Sequence, residues 1–287
     1  MIKSLKQLGY KNYHNFHMLF DKKKINAIWW NGKNWGDALN PVLIQHFSGL
    51  KPFQIHDFTL NPKNEPIHTV VGSILNWQLL KNEKILKNTI IWGTGFKAES
   101  ERLSGMPRQI CAVRGPLTRD NILKSGIKCP EIYGDPALLY PRIYKPKINK
   151  KYKLGIIPHY VDKDNNFIKT CENIHEIKVI DIEGPINTVI DQICSCKHIA
   201  SSSLHGVIAA DAYGVPSVWM KLSDKVIGNG FKFRDYFGSV GRSETEPLII
   251  SENSVPDDIY DSVTHHRIDI DLTILLDACP FYPPNIC

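Results

Sequence analysis

Through the first half of the chain short apolar runs recur, and each ends at a glycine or a polar turn. They fall at 25–30, 69–73, 89–95, 109–114 and 132–135. Runs of this length, bounded by turn residues, suit strands buried on both faces. Helical patterns lie between them, at 40–47 and at 116–125, and Pro136 opens a further helical turn. Short buried strands alternating with helices predict a parallel sheet covered on both faces.

The stretch 144–151, Tyr-Lys-Pro-Lys-Ile-Asn-Lys-Lys, breaks this pattern: it is charged, poor in apolar residues and carries a proline. It reads as an interdomain linker. After it the alternation restarts, with strands expected at 152–158, 176–182, 198–201 and 216–220. Helices are expected at 185–195 and 204–213, the second stopping at Gly214, and a closing helix at 272–278. The expected division is therefore two α/β domains, residues 1–143 and 144–287. Two such halves place a cleft between them, and open α/β sheets bind ligands beyond the carboxyl ends of their strands.

Composition agrees with this and narrows the partners. The chain has 287 residues, enough for two domains, and its 43% hydrophobic content is that of an ordinary globular protein. A net charge of +6 is moderate. The basic runs at 22–24 and 145–153 read as solvated surface, so no nucleic-acid partner is expected. Attraction to anionic substrates or to an anionic membrane surface stays open. Seven cysteines are scattered along the chain, Met1 to Lys6 do not open a signal peptide, and no apolar run approaches the ~20 residues of a membrane span. The expectation is a cytoplasmic protein with free thiols, working in the cytosol or at the inner face of the membrane. Cys194-Ser195-Cys196 is too tight and too isolated for a zinc site, so no metal is expected. Gly93-Thr94-Gly95 follows a strand, but the residues after it lack the helix of a dinucleotide fingerprint, so no nicotinamide or flavin is expected.

Chemistry-bearing residues gather at the strand ends. In Asn34-Trp35-Gly36-Asp37, Gly36 permits a tight turn or close approach to a ligand, and Asp37 either caps a helix or acts on a substrate hydroxyl. Gly95 sits in a loop that a substrate can approach. Arg114 ends a strand just before a helix N-terminus, an arrangement suited to an anion or to a structural ion pair. Asp135, before Pro136, is a turn or capping acid or a site residue. His159 ends the first strand of the second half and titrates near neutrality. The densest cluster is Ser201-Ser202-Ser203-Leu204-His205-Gly206. Its hydroxyls and backbone N–H groups precede a helix and suit a phosphate or carboxylate, or simply an N-cap. His205, in the first turn, is expected neutral because the positive helix end disfavours imidazolium. Gly206 lets another element come close. No Gly-x-Ser-x-Gly elbow exists, which argues against a serine hydrolase. Lys232, Arg234, Asp235 and Tyr236 lie in an aromatic stretch that reads equally as a sugar- and phosphate-binding segment or as core.

Taken in order, Asn34-Trp35-Gly36-Asp37, Trp92-Gly93-Thr94-Gly95, Val113-Arg114-Gly115-Pro116, Tyr133-Gly134-Asp135-Pro136, Ile157-Pro158-His159-Tyr160, Ser202-Ser203-Leu204-His205-Gly206, Gly214-Val215-Pro216 and Lys232-Phe233-Arg234-Asp235-Tyr236 resemble the motif series of polysaccharide pyruvyl transferases. The resemblance runs from about residue 25 to about residue 240. It implies a GT-B-like fold of two Rossmann-like parallel-sheet domains facing a central cleft, the first on the acceptor side and the second on the donor side. It implies phosphoenolpyruvate as donor, a saccharide acceptor (lipid-linked or nucleotide-linked), peripheral membrane association and no organic cofactor. Under it, His205 is the leading general acid/base with His159 second, and Asp37 orients the acceptor hydroxyl. Arg114, Ser202 and Ser203 hold the donor's anions. Asn34, Gly36, Gly95, Asp135, Gly206, Lys232, Arg234, Asp235 and Tyr236 complete the substrate-binding set. Many members of the family carry Arg-Leu-His where this chain has Ser203-Leu204-His205, so Arg114, Lys232 or Arg234 would supply the missing charge. The alternatives are a GT-B glycosyltransferase using a nucleotide sugar and a non-catalytic sugar-binding partner.

Overall fold

The structure, a computed structural model, describes residues 23–56, 64–251, 254–263 and 267–282. Met1 to Lys6, Lys22 and Cys287 lie outside the described residues. Five strands form the first sheet: β1 (Lys24–Ala27), β2 (Lys51–Gln54), β3 (Ile67–Thr69), β4 (Thr89–Trp92) and β5 (Gln109–Ala112). Their order is β2-β1-β3-β4-β5, and every pairing is parallel. The second sheet holds β6 (Tyr152–Ile157), β7 (Ile177–Val179), β8 (Cys196–Ser201), β9 (Ser217–Lys221) and β10 (Leu248–Ile249). Its order, β10-β9-β8-β6-β7, is again all parallel. The two halves are wound alike: in each, the second strand lies outside the first, and the third crosses to the first strand's other side. The protein is thus α/β with two Rossmann-like parallel sheets.

Several expected elements are shifted, for local reasons. The run 69–73 has an apolar centre, Val70-Val71, yet pairing stops at Thr69, because the chain turns at Gly72 with φ +118°. The expected strand at 132–135 is reduced to a single parallel bridge between Val113 and Tyr133. β2 has one buried residue and a proline, which an edge strand tolerates, and so carries almost no periodic signal. The expected helix at 40–47 begins earlier, as α1 (Trp35–Ser48), where the Asn34 side chain accepts the Gly36 N–H as N-cap. Pro41 sits inside α1 and lacks the N–H that would bond the Asp37 carbonyl. The Asn40 amide supplies that donor at 2.9 Å and also accepts the Val71 N–H. One side chain thus repairs the helix and ties it to the loop after β3.

The remaining helices that matter for the site are α2 (Glu83–Leu86), α3 (Pro116–Leu123), α4 (Asn166–Glu172), α5 (Ile186–Cys194), α6 (Leu204–Ala212), α7 (Phe231–Ser239), α8 (Pro256–Ser262) and α9 (Leu272–Asp277). The largest apolar cluster runs through both halves, from Trp35, Leu39 and Leu43 on α1 to Ile190 on α5 and Val207 and Ile208 on α6. The Trp35 N–H bonds the Ile182 carbonyl across the same boundary. The closing segment returns to the first sheet: Leu275 accepts the Trp92 indole N–H at 2.9 Å, and Phe281 meets Trp92 edge to face. Among the described residues no helix is long and apolar enough to cross a membrane.

Candidate functional site

In each sheet the topological switch point lies between the first strand and the third, where neighbouring crossovers leave on opposite faces and open a crevice. The two switch points face each other. Asn34 and Asp37 follow β1, and Ser73 follows β3. From the second half, His159 follows β6, and Ser203 and His205 follow β8. These residues, with Lys97, Lys225 and Lys232, line a cavity of about 380 Å³.

Backbone contacts hold the two second-half loops together. The His159 N–H donates to Ser202 Oγ at 2.8 Å, and the Ser203 N–H donates to Ser201 Oγ at 3.1 Å. Gly206 leaves room for this: a Cβ there would come within 2.3 Å of Ser201 Oγ. Ser203 occupies the N-cap position of α6 but its side chain makes no capping bond. It lines the cavity with Leu204 and His205, the first residues of α6, and the positive end of that helix favours an anion there.

The two histidines are held in opposite tautomers. Asn34 Oδ1 accepts the Gly36 N–H, which fixes the orientation of that amide, and the same oxygen faces His205 Nδ1. An oxygen that only accepts requires Nδ1 of His205 to carry the proton, leaving Nε2 as a bare acceptor. In His159, Nδ1 accepts the Val161 N–H, so Nε2 carries the proton and donates. Burial, reinforced by the Lys232 charge, pushes His205 down to about 3 and His159 to about 4, so both are neutral at physiological pH. Asp37 moves the other way. Burial raises it to about 7, against the opposing pull of Lys232. Its carboxylate lies 3.9 Å from His205 Nδ1. Lys232 is lowered to about 8, first by burial and then by the Arg114 charge.

The His205 ring lies directly on the start of α1. A Cβ on Gly36 would sit 2.3 Å from the ring. Gly36→Ala is therefore expected to displace His205 and lower turnover by about 10²-fold with little loss of fold, as misplacements of ~1 Å do. Steady-state kinetics beside a melting curve would check this, and unchanged turnover would remove Gly36 from the positioning role.

Other expected site residues sit behind the wall. Arg114, 1% exposed, does not reach the cavity as an anion clamp. Its Nε donates to Asp235 Oδ2 at 2.9 Å, one Nη to the Phe96 carbonyl and the other to Ser73 Oγ, both at 2.6 Å. Gly95 makes space for that guanidinium, which a Cβ would meet at 2.6 Å. Asp235 accepts from the Thr118 N–H and hydroxyl as well, at 2.7 Å each, and so belongs to this strut. Asp135 caps the turn that follows it by accepting the Ala137 N–H, and burial raises it to about 6. Tyr236 is core: its hydroxyl donates to Asp211, which is also paired with the buried Arg242. Arg234 turns to a neighbouring hollow and donates to the Asn229 carbonyl at 2.7 Å. Of the three cations expected to replace the family's arginine, only Lys232 lines the cavity.

Sequence reasoning missed Lys97, just past the Trp92-Gly93-Thr94-Gly95 motif, and Lys225, in a polar loop with no motif around it. It also missed Trp30 and Trp77, which meet edge to face at 5.4 Å at the cavity mouth. Their signal was position alone, since each follows the carboxyl end of a strand. Among the described residues no group of three or more His, Cys, Asp or Glu is placed to hold a metal ion.

Facing switch points, a helix start and three lysines around a neutral histidine form one cationic cavity in an α/β fold. The polysaccharide pyruvyl transferase family model matches residues 4–224. The chain belongs to that family, and its class of reaction is pyruvyl transfer onto polysaccharide. A succinoglycan biosynthesis protein, ExoV, of Rhizobium meliloti is 30% identical over 216 residues, which span 72% of this chain and 62% of that protein. An uncharacterised protein, L143, of Acanthamoeba polyphaga mimivirus is 31% identical over 253 residues, 84% of this chain and 83% of that one. A solved structure of an uncharacterised protein from Klebsiella pneumoniae aligns over 84% of this chain and 97% of its own, with a TM-score of 0.46 and 11% identity.

Proposed function

We propose that this protein transfers the pyruvyl group of phosphoenolpyruvate to a saccharide of a surface polysaccharide or its lipid-linked precursor, forming a pyruvate ketal and releasing phosphate. The observation that carries this reading is the division of proton chemistry within one cationic cavity. His205 offers an unprotonated Nε2, and Asp37 keeps its proton up to about pH 7. Two groups whose environments push their titrations apart make an acid and a base.

The steps follow from that division. Lys97, Lys225, Lys232, the Ser203 hydroxyl and the start of α6 hold the phosphate and carboxylate of the donor. Ser73 Oγ accepts from Arg114, which leaves its own proton to donate into the cavity. Asp37 protonates the methylene carbon, and C2 becomes electrophilic. His205 Nε2 takes the proton of one sugar hydroxyl as its oxygen bonds C2. The C2–O bond to phosphate then breaks, and the second hydroxyl closes the ketal. Of the two hydroxyl protons, one restores Asp37 and the other leaves on phosphate. His159 donates Nε2–H to a donor oxygen.

The test is acceptor-dependent phosphate release from phosphoenolpyruvate, with mass spectrometry of the acceptor for the ketal. Calorimetry in which a nucleotide sugar binds at micromolar levels and phosphoenolpyruvate does not would establish the glycosyltransferase alternative instead. A pH series sharpens the assignment. Lys232 loses its charge as pH rises through about 8, so phosphoenolpyruvate affinity is expected to fall across that value. Lys232→Arg, charged at all accessible pH, should remove the fall, and Lys232→Ala should weaken binding throughout. A fall of equal size in the arginine variant would exclude Lys232 as its source.

A further inference from the structure

Beside the cavity lies a second, larger groove that the proposed chemistry does not use. It has a volume of about 820 Å³, against about 380 Å³ for the cavity, and the two share Trp30 and Trp77 as a common wall. The groove lies beyond the carboxyl ends of β1 and β2. Its walls are aromatic and amide in character: Trp29, Trp30 and Trp77 with Gln54, Gln78 and Asn82.

We infer that this groove is a subsite for a neutral oligosaccharide, holding the sugar units that precede or follow the one being modified. The inference rests on the pyruvyl-transfer reading for the identity of the reacting sugar, but its own support is separate. Among the described residues the groove lining contains no carboxylate, and its basic side chains are Lys81 and His56, whereas the cavity carries three lysines with Asp37 and Glu183. An ionic ligand therefore belongs in the cavity and an uncharged one in the groove. Aromatic faces take the C–H faces of pyranose rings, and planar amides both donate to and accept from hydroxyls. Four amide side chains, with Asn31 as the fourth, suit a hydroxylated chain and disfavour a lipid tail, which would leave them without partners.

The platform is preformed. Trp30 lies flat on Gly32, where a Cβ would fall 2.0 Å from the indole nitrogen, and Trp77 stands edge-on to it. Gln54 is anchored by donating to the Trp29 carbonyl at 2.8 Å, which leaves its carbonyl oxygen for a ligand. The Asn82 oxygen caps α2, so its NH₂ group remains as donor. A chain lying here reaches the cavity across the Trp30–Trp77 pair, so the acceptor enters on that side and the anionic donor occupies the lysine end.

The experiment is calorimetry of the full chain with neutral β-linked glucose and galactose oligomers of one to four units, with and without phosphoenolpyruvate. Affinity is expected to rise about tenfold or more from the monosaccharide to the trisaccharide in at least one series. Gln54→Ala/Gln78→Ala and, separately, Trp77→Ala should abolish that length dependence, while the double variant leaves phosphoenolpyruvate binding unchanged. Affinity independent of length in the wild type, or length dependence that survives both variants, overturns the proposal. So does tighter binding of neutral lipid vesicles than of any oligomer. Length dependence without phosphoenolpyruvate binding would instead count against the pyruvyl-transfer reading and leave the groove standing.

Discussion

Replacing His205 with alanine is expected to lower acceptor-dependent phosphate release by about 10²–10⁴-fold, the range that a positioned acid or base contributes. Binding of phosphoenolpyruvate should stay within a few-fold of wild type, because the cations that hold it are on other elements. The ring is fixed by Asn34, itself fixed by the Gly36 N–H, and its burial keeps Nε2 free of a proton. Removing the ring leaves the Asn34–Gly36 cap in place, so the fold should persist. His205→Gln offers an amide that hydrogen-bonds but takes no proton and should be nearly as inactive. Asp37→Asn keeps the shape and removes the acid, so the decline of turnover above about pH 7 should vanish together with most of the rate. Phosphate release, calorimetry and circular dichroism together would decide the matter. Turnover within tenfold of wild type in both His205 variants would remove it from the chemistry.

Asp235→Ala is expected to be the most destabilising single change near the site, by about 3–5 kcal/mol, because it strands a fully buried guanidinium. Arg114 is 1% exposed and Asp235 fully buried. The carboxylate also accepts from both Thr118 donors, so one truncation breaks bonds to two elements. A melting temperature lower by on the order of 10 °C is anticipated. Donor binding should weaken too, since Asp235 and Lys232 share α7, and the strut holds that helix against Gly115, whose missing Cβ would meet the Asp235 carbonyl at 1.8 Å. The double change Arg114→Met/Asp235→Leu should recover much of the stability, as buried ion pairs replaced by packed apolar groups do, without recovering the role of Arg114 behind Ser73. A melting point for Asp235→Ala within 1–2 °C of wild type would show that the pair is not the strut described.

Much of the candidate site was legible from local pattern. Asn34-Trp35-Gly36-Asp37 and Ser201 to Gly206 both stand between a strand and a helix start; a neutral His205 was expected from the helix end, whereas burial and the Lys232 charge are what make it neutral. Lys97 and Lys225 were legible only as polar loop residues, and Lys232, expected as a phosphate ligand, lay in a stretch equally readable as core. Arg114 looked like an anion ligand because a guanidinium at a strand end before a helix fits that role locally. Its partner, Asp235, is 121 residues away, and nothing in the spacing announces it. Tyr236 likewise matched a motif but serves Asp211 in the core.

By itself the sequence determined the α/β class, the restart of the winding after 144–151, and the placement of polar chemistry at strand ends. These depend on periodicity and turn residues within a few positions of one another. Only the tertiary structure decided which charges line the cavity, which histidine nitrogen is bare, and that burial raises Asp37 to about 7. Those properties come from burial and from contacts between the two halves, where Asn34 meets His205 and Arg114 meets Asp235, and no local pattern encodes them.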